Sequence, residues 1–134
     1  MQVRGALSAV HSGECRLGGV FHAAHQLADA TLSNQAARHF RAAYAPKVHG
    51  AQALHAAAHC AATRFFSLYA SIASLLGSAG QAPHSAANAW LSAMATSRSH
   101  LGLQAQSIAW GAVAEVGYAA RLGADLRAAV VGYG

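Results

Sequence analysis

Four polar residues, Lys47, Ser71, His84 and Asn88, carry side chains able to hold and protonate an oxygen on which negative charge is building. Ser71 offers a hydroxyl that can hydrogen-bond a carbonyl oxygen from what reads as the end of a strand. His84 offers an imidazole, whose reference pKa near ~6.5 makes it an acid usable near neutral pH. Asn88 falls four residues beyond His84, the spacing that sets two side chains on one helical face. Lys47, the only lysine of the chain, follows Pro46 directly. A cation there would disfavour the protonated form of an imidazole beside it.

Alternating elements must position these groups. Leu17 to Ala24 is short, apolar and bounded upstream by glycine, as a buried strand would be. Ser33 or Asn34 can cap a helix running to about Tyr44, where Pro46 interrupts it before helix resumes through about Ala61. Arg64 to Ser71 reads as a second strand, Gly77 to Pro83 as a turn-rich loop, His84 to about Arg98 as a helix and Leu103 to Ala109 as a third strand. Strand, helix, strand, helix, strand predicts a parallel sheet with right-handed crossovers.

Composition narrows the classes of partner. The 134 residues suffice for one domain, 54% of them are hydrophobic and 10% charged, and no apolar run approaches the ~20 residues of a membrane span. The net charge of +5 comes from eight arginines and one lysine scattered against four acids, without the patch that a nucleic-acid binder gathers. Cys15 and Cys60 stand far apart with no C-x-x-C pairing, so no disulfide framework is expected. His55-x-x-x-His59 has helical metal-ligand spacing, but no H-E-x-x-H carboxylate joins it and no metal site is expected.

Four motifs then point to one family. Gly19-Val20-Phe21-His22-Ala23-Ala24 resembles a G-V-x-H-A-A strand, and Pro46 to His55 resembles a P-K-V-x-G-A-x-x-L-H helix. The stretch from Tyr69 to Leu91 resembles the catalytic core, and Ser107-Ile108-Ala109-Trp110-Gly111 with Ala114-Glu115-Val116-Gly117 is similar to the S-I-x-W-G segment and its continuation downstream of that core. These are motifs of the ketoreductase domains of type I polyketide synthases and animal-type fatty acid synthases, in the short-chain dehydrogenase/reductase superfamily. The resemblance covers roughly residues 17 to 122, with residues 1–16 an unassigned segment and 123–134 a tail. It implies an α/β, Rossmann-like parallel sheet with flanking helices. No G-x-G-x-x-G cluster precedes a helix, so the sheet is expected to be incomplete, lacking the amino-terminal dinucleotide-binding half.

By resemblance Ser71 is the family's serine, Lys47 the lysine that orients the nicotinamide ribose, and Asn88 the asparagine that has exchanged places with that lysine. Ala23 and Ala24 fall where the cofactor passes. The family's tyrosine position holds His84, and His25 replaces a glycine near the nicotinamide, so impaired catalysis is expected. Leu27-Ala28-Asp29 keeps the last aspartate of the B-type L-D-D signature, and Leu76 replaces the A-type tryptophan. The resemblance implies NADPH as cofactor and a β-ketoacyl thioester on an acyl carrier protein as substrate, among the remaining domains of a cytoplasmic synthase, with neither nucleic acid nor membrane as partner. A non-catalytic remnant of a reductase domain is the alternative. In either case an uncovered first strand would favour self-association through the sheet edge.

Overall fold

The computed structural model describes residues 17–58 and 63–111. Three parallel strands, β1 (Gly19–His22), β2 (Phe65–Ser71) and β3 (Gln106–Trp110), lie side by side in that order. Gly19 pairs with Phe65 and His22 with Leu68, while Ser67 pairs with Gln106 and Ser71 with Trp110. All three strands therefore end at one rim, where the open crevice of such sheets forms. The expected α/β architecture is present, and β1 is an edge of the sheet among the described residues.

The crossovers run through α1 (Ala37–Tyr44), a π-turn (Ala45–His49) and α2 (Gly50–Ala58), then α3 (Ala73–Leu76) and α4 (Ala82–His100). The first departs from the sequence reading. Ser33 and Asn34 form a separate 3-10 turn, Leu32–Asn34, and α1 begins beyond it, where the Ala36 N–H donates to His39 Nδ1 at 3.0 Å. Pro46 does not break the rod. It sits near the start of the π-turn, whose wider i→i+5 loop, closed by the Gly50 N–H on the Ala45 carbonyl, tolerates a residue without a donor. Helix α4 likewise begins two residues before His84, with Pro83 in its first turn, where a missing N–H costs nothing. The short α3 was not expected from sequence; Gly77, at φ 78°, ends it in a conformation that favours glycine.

One face of the sheet carries the core. Val20, Phe66, Leu68 and Ala70 point to it and meet Ala51 and Ala58 of α2 and Leu91, Met94 and Ala95 of α4, all buried. The many alanines let the helices approach closely, so few large side chains fill the space. On the opposite face Phe21 and Phe65 stack with centroids 4.6 Å apart, and Tyr69 meets Trp110 at 5.7 Å. Phe21 is 66% exposed. A parallel sheet is ordinarily buried on both faces, so this aromatic face is the less finished side of the described fold. Among the described residues no helix is long and apolar enough to cross a membrane. Cys15, His59, Cys60 and the Ala114 to Gly117 motif lie outside the described residues.

Candidate active site

A cavity of about 260 Å³ opens at the rim where the strands end. Ala23 and His25 reach it from the loop after β1, Tyr69, Ala70 and Ser71 from the end of β2, and Trp110 and Gly111 from the end of β3. Lys47 enters from the π-turn and His84 from the first turn of α4. Three of the four predicted chemical groups, Lys47, Ser71 and His84, thus line one space, although 37 residues separate the first from the last. Of the two predicted cofactor-side alanines, Ala23 lines the cavity, while Ala24 lies in the same exposed segment just beyond its wall.

Lys47 is held from both ends. Its backbone carbonyl accepts from His22 Nε2 at 3.0 Å, which fixes the imidazole proton on that nitrogen, and its Nζ donates to the Tyr69 carbonyl at 2.9 Å. His22 can come this close because position 50 is glycine: a Cβ there would stand 3.1 Å from the His22 ring. The lysine is 5% exposed, and burial pulls its pKa down from 10.5 to about 8. Burial also lowers the pKa of His22, with Lys47 adding to the effect against the hydrogen bond that raises it.

His84 feels the same field. Burial lowers its pKa below the ordinary 6.5, Lys47 and His25 push it down further, and Asp29 opposes them. Its Nδ1 is buried with no hydrogen-bond partner among the described residues. Asn88 shares the helix but does not line the cavity. It is fully buried, its Nδ2 donates to the His84 carbonyl at 2.8 Å, and its Oδ1 has no partner among the described residues. The carboxamide therefore braces the turn that carries the imidazole. Ser71 Oγ accepts from the Ala73 N–H at 3.2 Å, which leaves its own proton free to donate into the cavity.

Asp29 does not enter the cavity wall: its carboxylate accepts from Gln81 Nε2 at 3.0 Å, beside a backbone bond from the Ala30 N–H to the Gly80 carbonyl at 2.9 Å. These bonds clip the loop after β1 to the loop that precedes α4. The sequence reading missed three parts of the site: the His22 bond to the Lys47 backbone, the Tyr69 carbonyl and the Trp110 wall. Trp110 could have been placed from its register opposite Ser71, but a backbone acceptor leaves no mark in sequence. Among the described residues no three His, Cys, Asp or Glu side chains converge in a way that could hold a metal ion. A larger hollow of about 370 Å³, between Gln52 and His55 of α2 and Trp90, Met94 and Arg98 of α4, contains none of the predicted site residues.

Comparison with known proteins bears on family and fold. The family model described as KR domain matches residues 1–115. Over 99 residues the chain is 48% identical to the phthioceranic/hydroxyphthioceranic acid synthase of Mycobacterium tuberculosis (strain ATCC 25618 / H37Rv), covering 74% of this chain and 5% of that protein. It is 43% identical over 106 residues to the mycocerosic acid synthase-like polyketide synthase of Mycolicibacterium smegmatis (strain ATCC 700084 / mc(2)155), covering 75% of this chain and 5% of that one. The chain thus spans about a twentieth of the length of these relatives. The solved structure of an A-type ketoreductase from a modular polyketide synthase superposes with a TM-score of 0.86 at 35% identity, over 96% of this chain and 27% of that one.

Proposed function

This chain belongs to the KR domain family, the ketoreductases of polyketide synthases, and on that premise we propose that it supplies the substrate-facing side of an NADPH-dependent β-ketoacyl reductase site. The observation that carries the reading is the convergence of Lys47, Ser71 and His84 on one cavity at the carboxy ends of parallel strands. The substrate is a β-ketoacyl thioester on an acyl carrier protein, and the partners are the remaining domains of a synthase.

The described residues fit the nicotinamide end of the cofactor. Lys47 presents a buried donor that would hold the ribose, and the exposed segment of Ala23 and Ala24 passes beside it. NADPH, when bound, supplies the hydride. Ser71 donates its hydroxyl proton to the substrate carbonyl and so stabilises the oxyanion as it forms. His84 delivers the proton, and it does so poorly, because burial and Lys47 keep the imidazole neutral at pH 7. Lys47 adds its charge to the stabilisation of the alkoxide. Its low pKa leaves most of it protonated at pH 7. His25 puts a ring where the family has glycine and narrows the nicotinamide position.

The His84 Nδ1, without a hydrogen-bond partner among the described residues, favours the second reading, a non-catalytic remnant, because a proton donor is ordinarily held by a hydrogen bond on its far side. Mixing this chain with a separately expressed amino-terminal ketoreductase half separates the two. Restored NADPH binding is the expected result; a pair that associates without binding NADPH, or fails to associate, supports the remnant.

A further inference from the structure

The Lys47 amine has an environment that suits a reaction other than orienting a ribose. It faces a cavity of about 260 Å³. Among the described residues no carboxylate pairs with it, and its single hydrogen bond goes to a backbone carbonyl, an acceptor that cannot take up its proton. A neutral imidazole stands close enough for Lys47 to act on its titration. A desolvated lysine beside an acid–base group, in a cavity open to a carbonyl compound, is the arrangement of an imine-forming amine.

We propose that Lys47 condenses with β-dicarbonyl compounds when no dinucleotide fills the cavity, so that the chain carries a cofactor-independent covalent site for the same class of carbonyl substrate. The neutral Nζ attacks the ketone carbon, a C–N bond forms, and the carbonyl oxygen takes up a proton from solvent. The neutral His84 imidazole takes the proton that the nitrogen gives up and returns it to the oxygen as the C–O bond breaks, and the oxygen leaves as water. Loss of a proton from the carbon between the two carbonyls gives a conjugated enaminone. Nothing is oxidised or reduced. The enaminone nitrogen keeps one N–H, which can remain on the Tyr69 carbonyl that holds Nζ at 2.9 Å. The burial that lowers the Lys47 pKa to about 8 supplies free amine at neutral pH.

The proposal rests on the cavity assigned above, not on hydride transfer within it, so the two fail separately. The probe is acetylacetone, added to the 134-residue chain, in which Lys47 is the only lysine. The readouts are the near-ultraviolet absorption of the enaminone and peptide mass mapping, where the adduct adds one diketone less one water. The α-amino group of Met1 is an internal comparator, since its ordinary pKa of about 7.7–8.0 nearly matches that of Lys47. Lys47 is expected to react at least about tenfold faster than the α-amine, a modest part of what a positioned acid–base group supplies. That advantage should vanish in urea and shrink in His84→Phe. Equal or slower labelling of Lys47 in the folded chain would overturn the proposal, and an unchanged rate in His84→Phe would overturn the role given to the imidazole. An adduct without NADPH binding after complementation would refute the reductase reading alone; NADPH binding without an adduct would refute the covalent site alone.

Discussion

Lys47 and Arg98 are both cations sunk among apolar side chains, 5% and 1% exposed, yet the fold treats them in opposite ways. Arg98, in the last turns of α4, has a hydrogen-bond partner at each of its three nitrogens. Its Nε and Nη2 donate to the Gln104 carbonyl at 3.3 and 3.2 Å, its Nη1 donates to His55 Nδ1, and its guanidinium lies 3.9 Å above the Phe66 ring. Burial lowers its pKa, but an arginine keeps its charge in a protein. Lys47 has one hydrogen bond, a cavity in front of it and a proton held only loosely. Burial alone does not mark a functional charge. Where several fixed partners share the charge, the cation ties helix to sheet; where a single bond holds it beside a cavity, the cation is available to a ligand.

The contrast can be broken most sharply by exchanging function against stability. In an assembled, NADPH-binding domain, Ser71→Ala should lower kcat/KM for a β-ketoacyl thioester by about 10²-fold or more, while the urea midpoint of the chain hardly moves. Arg98→Met should do the reverse. It removes both donors from the Gln104 carbonyl and the cation from the Phe66 ring and should cost about 2–4 kcal/mol in urea titrations, with the site groups unchanged.

The pH dependence of stability sharpens the same contrast. Because the folded pKa of Lys47 lies near 8 and its ordinary value is 10.5, the unfolded chain binds more protons between those limits, and stability rises with pH through that window. The gain is about 3 kcal/mol above pH 10.5, and it is lost as pH falls to about 8. Comparing urea titrations from pH 7.5 to 10.5 with those of Lys47→Met should show that rise disappear in the variant, and no comparable rise should trace to Arg98. The smallest effect is Phe66→Leu, which removes the ring beneath the guanidinium and should cost about 1–2 kcal/mol.

Much of the rim was legible in the sequence because parallel strands end together. Once Gly19 to His22, Phe65 to Ser71 and Gln106 to Trp110 are strands, the residues just beyond them must share one edge, and Ser71 falls there by chain order alone. Lys47 and His84 were legible through the motif resemblance. The π-turn was not, because Pro46 reads as a helix breaker and only a widened turn removes the conflict. Asn88 shows the limit of helical spacing. A four-residue step puts it on the His84 side of α4, but a short carboxamide finds the carbonyl of its own helix sooner than the cavity. Arg98 was invisible as a core residue, since a basic side chain in a last helical turn is usually read as a solvated complement to the helix dipole.

On the proposed reading, His84 takes the place of a donor that keeps its proton at pH 7, and it limits the reaction. Its direct test is NADPH consumption by His84→Tyr against the native residue, measured from pH 5.5 to 8.5 in an assembled domain. The native protein should speed up as pH falls below about 6.5, because the lowered pKa of His84 leaves it protonated only there. The tyrosine variant should lose that acid limb and turn over about 10²-fold faster at pH 7. An unchanged or lower rate at pH 7, with the acid limb intact, would contradict the account and show that the imidazole does not govern proton delivery.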